Sequence, residues 1–167
     1  MNTLPLDSYK GCGHRFECKV YVNNNSTNRP FICNGALFSF NSNAQSSGLE
    51  IGIYSSQLCI VSRDNVSSDS IFNIAALSSI INQWLTIQYD IKKISSASFS
   101  AVVKVFKADG TNICQQQYVM QTPLNTNRNN MVLFCDNYGW FSIAQNIYDF
   151  IKDIKIFRET DLNDFSS

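Results

Sequence analysis

The sequence predicts an all-β fold, a two-sheet antiparallel β-sandwich. Three observations carry the expectation. Short runs alternate between apolar and polar residues with period two, as in Arg15-Phe16-Glu17-Cys18-Lys19-Val20-Tyr21-Val22, which buries one face of a strand and wets the other. Turn signals, Asp109-Gly110 above all, separate neighbouring runs. No strand, long helix, strand succession is present, which argues against an α/β fold.

The elements follow in order. After the opening strand at 15–22, Asn23 to Arg29 reads as a polar loop, and Pro30 cannot donate to a ladder. Phe31 to Phe40 is more continuously apolar and is expected to be a central strand, followed by a polar loop from Asn41 to Gly48. Leu49–Tyr54 and Gln57–Arg63 are β-prone, with Ser55-Ser56 as the tight turn of a hairpin, although Asn-Gly is the favoured pair there. Ser67 to Ser70 is polar, Ile71 to Ile74 resumes alternation, and Ala75 to Ile81 suits a short helical turn.

In Gln83-Trp84-Leu85-Thr86-Ile87-Gln88-Tyr89-Asp90-Ile91, the residues Leu85, Ile87, Tyr89 and Ile91 share one face. Trp84, on a regular strand, is assigned a structural role. Phe99–Lys107 and Asn112–Met120 flank the Asp109-Gly110 hairpin, and Met131–Cys135 is a short buried strand after a polar loop with Pro123. Ile147, Phe150, Ile151 and Ile154 fit helical spacing, but Ile154-Lys155-Ile156-Phe157-Arg158 alternates and is rich in β formers, so a strand from about 149 to 158 is favoured. The domain spans 14–159, with an N-terminal arm at 1–13 and a tail at 160–167.

The 167 residues suit one domain, and 44% hydrophobic residues supply its core. Only 16% are charged and the net charge is zero. That balance excludes the basic surface that nucleic acid or anionic lipid requires. The longest apolar runs are too short to cross a bilayer, and Met1 to Lys10 holds no apolar export signal. Six cysteines, Cys12, Cys18, Cys33, Cys59, Cys114 and Cys135, form no C-x-x-C pair. The five that lie in strand-like runs are expected to be reduced, buried small hydrophobes.

The Trp84 strand, the Asp109-Gly110 hairpin, the short strand at 131–135 and the closing Phe150-Ile151-Lys152-Asp153-Ile154-Lys155-Ile156-Phe157-Arg158 together resemble laminin-G-like domains of the concanavalin A-like lectin superfamily. The resemblance implies a jelly-roll sandwich. A Gly usual before the last strand is replaced by Tyr148-Asp149, and Cys135-Asp136 stands where an "iG" is usual. Low charge, abundant Asn and Ser and the absence of an export signal make the chain similar in style to small domains of bacteriophage virion proteins.

Relatives of that superfamily that cleave β-glucans carry Glu-x-Asp-x-x-Glu, whose carboxylates flank the glycosidic bond. Here Glu17 and Glu50 are isolated, the second followed on its face by Gly52 and Tyr54. The one histidine, His14, lies in a stretch that reads as flexible, a poor setting for a dyad with Cys12. Asp64 with Asp69, or Asp136 with Asn137, offers hard oxygens for calcium, but such pairs in loops are usually turn formers. No catalytic residue, metal or cofactor is therefore expected. For ligand binding the best candidate is the loop Asp136, Asn137, Tyr138 and Trp140: rings stack on a pyranose while Asp and Asn take its hydroxyls.

The functional expectation is a non-enzymatic recognition or structural module. It would be made in the host cytoplasm and displayed on a virion surface as a head, tail or fibre decoration. Its partners would be other virion proteins or copies of itself, with glycans as further ligands, and with neither nucleic acid nor membrane insertion. The alternatives are a free-standing carbohydrate-binding lectin in an extracellular setting and, last, a glycoside hydrolase-like enzyme.

Overall fold

The computed structural model describes residues 4–5, 14–26, 28–35, 48–63, 69–95, 98–121, 130–133 and 149–158. Within them run eleven strands: β1 (Leu4–Pro5), β2 (His14–Val22), β3 (Arg29–Gly35), β4 (Gly48–Tyr54), β5 (Gln57–Arg63), β6 (Asp69–Ala76), β7 (Gln83–Ser95), β8 (Ser98–Phe106), β9 (Asn112–Gln121), β10 (Asn130–Leu133) and β11 (Phe150–Arg158). They form two antiparallel sheets, one ordered β1-β10-β3-β4-β5-β6 and the other β11-β2-β7-β8-β9. The expected two-sheet antiparallel β-sandwich is what the chain forms.

Period-two alternation decides which residues meet between the sheets. Phe16, Cys18, Val20 and Val22 of β2 and Leu85, Ile87 and Tyr89 of β7 are buried against Phe31, Ile32, Ile51, Ile53, Leu58 and Ile60 of the other sheet. Each such side chain contributes about 1.5–3 kcal/mol by leaving water. A 3₁₀ turn at Leu77–Ser79 links β6 to β7 and lowers Leu77 and Ile80 into the core. It is short because β6 continues through Ala76, so the expected turn from Ala75 is trimmed at its start.

The turns follow local chemistry. Gly110 takes φ +85° in the β8–β9 hairpin, its N–H donating to Lys107 O at 3.0 Å, and Asp109 Oδ1 accepts from Thr111 N at 2.9 Å. Ser55 and Ser56 both take positive φ, 48° and 58°, the backbone of a two-residue hairpin. Asn28 Oδ1 accepts from Ser55 N at 2.8 Å and Ser56 O accepts from Leu77 N at 2.9 Å, which offsets part of that strain.

Several expectations are corrected. Arg29, expected in a loop, opens β3 and is buried, because Asp149 gives it a carboxylate partner inside. Asp69 and Ser70, expected in a loop, pair with Arg63 and Ser62, so Asp69 stands on a strand rather than in a calcium loop. His14, expected in a flexible stretch, begins β2 between Ile91 and Arg158. Leu4 and Pro5, within the expected arm, pair with Met131 and Asn130. Residues 36–40 of the expected central strand, Asp64, Cys12 and Cys135 lie outside the described residues. Cys18 and Cys114 are free and buried, as expected, and Cys59 is buried as well.

Candidate functional site

The candidate site lies on the outer face of the five-stranded sheet. The same alternation that buries Val20, Val22 and Leu85 turns Tyr21 and Trp84 to the opposite face. Tyr21 pairs in register with Trp84 on one side and with Phe150 on the other. Their rings meet edge-on: Tyr21 and Trp84 have centroids 5.4 Å apart at 63°, and Tyr21 and Phe150 lie 6.2 Å apart at 54°. Phe150 is 62% exposed. Lys152, two residues on, holds its ammonium 4.0 Å above the Trp84 ring, a cation–π contact.

A bulge in β11 shapes the rest of this face. Asp153 takes φ 52°, and the register shifts between Lys152 and Lys155. The extra residue lets both lysines project outward although they are three apart. Asp153 pairs with Lys19 at 3.0 Å, and Lys155 pairs with Glu17 at 3.2 Å. Farther along, Arg15 reaches Asp90 through two guanidinium nitrogens, Gln88 Nε2 donates to Asp90 at 3.1 Å, and Lys104 lies 3.7 Å away. The hydrogen bond from Arg15 to Asp90 raises the Arg15 pKa, and the Lys19 contact lowers that of Asp153.

The start of β11 is fixed from beneath. Asp149 accepts from Arg29 Nε and Nη2 and from the backbone N–H of Asn23 at 2.7 Å. Arg29 also donates to the carbonyls of Asn23 and Asn25 and stands 5.8 Å from the Phe31 ring centre. The knot ties the β2–β3 loop to the residue before Phe150, and so sets where that ring stands beside Tyr21.

The opposite outer face is different. Cys59 and Val61 of β5 project away from the sandwich core, since their neighbours Leu58 and Ile60 face into it. Yet they are only 0% and 4% exposed, so the centre of the six-stranded face is covered. In the aromatic group on the five-stranded face, Phe150 is open to solvent and Tyr21 and Trp84 are half-buried.

Among the described carboxylates, Glu17, Asp90, Asp149 and Asp153 each face a cation rather than a second acid. No group of three or more His, Cys, Asp or Glu suited to a metal occurs among the described residues. The four loop residues expected to bind ligand, Asp136, Asn137, Tyr138 and Trp140, lie outside the described residues. The sequence reading missed Tyr21, Phe150 and Lys152 and assigned Trp84 a purely structural role. The available signal was a Trp and a Tyr on the polar phase of otherwise alternating strands.

No protein-family model matches the sequence, and no curated protein matches it either. Solved structures do share its shape. A marine alginate lyase from Aplysia kurodai superposes with a TM-score of 0.51 at 12% identity, covering 87% of this chain and 69% of the lyase. Sheep galectin-11 gives 0.44 at 8% identity, covering 93% of this chain and 95% of the galectin. The binding domain of botulinum neurotoxin serotype D/C gives 0.47 at 13%, covering 93% of this chain but 35% of that one. At such identities the likeness concerns the fold and assigns no role to any residue.

Proposed function

We propose that this chain is a non-enzymatic recognition module, displayed on the surface of a virion, that engages glycans through the outer face of its five-stranded sheet. The observation that carries the proposal is the outward group of half-buried Tyr21 and Trp84 and exposed Phe150, set among ion pairs. Aromatic rings take the C–H face of a pyranose, and polar groups at their border take its hydroxyls. Recognition is favoured over catalysis because Glu17, Asp90, Asp149 and Asp153 are held by cations instead of facing each other across a cleft. The virion setting is supported by the neutral balance of charge and the abundance of Asn and Ser.

A broad glycan array tests the reading. Binding lost on Trp84→Ala is expected; silence across the array would remove the glycan role. Parallel Tyr138→Ala and Trp140→Ala variants separate this face from the 136–141 loop. Mass spectrometry of saccharides after long incubation is expected to show no cleavage, and turnover would overturn the non-enzymatic reading.

A second reading, attachment to neighbouring proteins or to copies of itself, is favoured by the edge strand β11, where Ile154, Ile156 and Phe157 are exposed. Its test is sedimentation velocity across concentration. Association that disappears with Phe157→Ser supports it, and a monomer at every concentration argues against self-association.

A further inference from the structure

The outer-face group also carries a charge preference. Lys152 is exposed and its ammonium rests on the Trp84 ring. The nearest acid in sequence, Asp153, is already paired with Lys19 at 3.0 Å, and the outward acid farther along, Glu17, is paired with Lys155. Lys152 is therefore the cation on this part of the face that rests on a π-system, while the hydrogen bond of its neighbour Asp153 goes to Lys19. A sugar stacking on Trp84 must take the place the ammonium now occupies, and the displaced ammonium, on a flexible stem, stays beside the ligand.

We infer that this site selects acidic saccharides: the pyranose ring stacks on Trp84 beside Tyr21, with Phe150 on the far side of Tyr21, and Lys152 swings aside to bind the sugar's carboxylate. A neutral sugar displaces the same cation–π contact and gains no ion pair in return. An acidic sugar replaces that contact with a charge-assisted hydrogen bond, which is the stronger of the two. A peptide or protein partner fits less well, because three rings bordered closely by ion pairs give little of the apolar centre that a protein interface needs. The inference rests on the glycan-binding reading and adds to it the class of sugar.

The experiment titrates the full chain with two matched pairs, sialyllactose against lactose and a glucuronic-acid-bearing oligosaccharide against its glucose counterpart. Calorimetry and Trp fluorescence in a Trp140→Phe background report binding. At least one acidic member is expected to bind roughly tenfold tighter than its neutral partner, the order expected of one charge-assisted bond. Lys152→Met keeps the apolar stem and is expected to abolish that preference while retaining neutral binding. Phe150→Ser, at an exposed position, is expected to weaken both members several-fold, and Trp84→Phe to weaken both less than Trp84→Ala. Raised salt is expected to shrink the preference as charges are screened.

An acid preference that survives Lys152→Met, or binding unchanged in Phe150→Ser and Trp84→Ala, overturns the assignment. Neutral and acidic sugars bound equally well, with both lost in Trp84→Ala, overturn the acidic selectivity while leaving the recognition reading intact. No binding of any saccharide on the array removes both.

Discussion

Arg29 and Asp149, 120 positions apart in the chain, form an ion pair whose side chains are 1% and 0% exposed. Attraction and desolvation nearly cancel in such a pair, but removing one partner strands the other charge in a medium that cannot solvate it. Asp149→Ala and Arg29→Ala are each expected to destabilise the fold by about 3–5 kcal/mol. Arg29→Lys is expected to recover only part, because an ammonium lacks the planar fork that reaches two Asp149 oxygens and two carbonyls at once. Denaturant midpoints at constant m-value are the measurement.

The ion pairs on the outer face are expected to rank by exposure. Lys19–Asp153 and Lys155–Glu17 are open to water, so Asp153→Asn is expected to leave the melting temperature nearly unchanged and Glu17→Gln to change stability by less than about 1 kcal/mol. Asp90, nearly enclosed by Arg15, Gln88 and Lys104, is a different case, and Asp90→Asn is expected to cost about 1.5–3 kcal/mol. Thermal melts of the three variants in one buffer decide the order.

Stability is expected to fall at alkaline pH. Burial raises Cys18, helped by Glu17, from 9.0 to about 12. Burial alone raises Cys114 to about 11. Tyr118 rises from 10.0 to about 12 through burial and the neighbouring Cys114. The folded state thus holds these protons after the unfolded chain has released them. The contribution is complete below pH 9.0 and is lost as pH climbs through that window toward about 12. Urea midpoints that decline between those limits, with a smaller decline in Cys18→Ala than in the parent, are the expected result. Iodoacetamide is expected to leave Cys18 unmodified in the native protein at neutral pH.

The two hairpin turns are expected to respond in opposite directions. Gly110 has φ +85°, and a Cβ there would meet nothing within 4 Å, so Gly110→Ala is penalised through the backbone alone, by about 1–2 kcal/mol. Replacing Ser55-Ser56 with Asn-Gly puts residues suited to positive φ where two serines now hold it, and is expected to stabilise by about 1 kcal/mol. Guanidinium titrations resolve both.

Much of the fold was legible because its rule is local. Phe16, Cys18, Val20 and Val22 alternate with polar neighbours, so the core face of β2 was visible in eight residues, and Leu85, Ile87 and Tyr89 did the same for β7. The Asp109-Gly110 turn was legible for the same reason. What resisted reading was long-range. Nothing local marks Arg29 as buried, since its partner comes from the far end of the chain. The group of Tyr21, Trp84 and Phe150 exists because β11 and β7 flank β2, and strand order is a property of the whole sheet. Tyr21 and Trp84 sit on the polar phase of their strands, a local signal, but their adjacency is not local.

The central place of β2 between β7 and β11 bears on how the molecule is made. On the ribosome, β2 emerges before β7 and β11, and its pairing with β7 can form before β11 has been made. Its other edge waits until 150–158 has been synthesised. Until then that edge presents unpaired backbone groups, and Asp149 is not yet there to pair with Arg29. The nascent domain passes through an open, pairing-competent stage that ends only with its last strand, and that interval is when a chaperone is most needed and aggregation with sister chains is most probable.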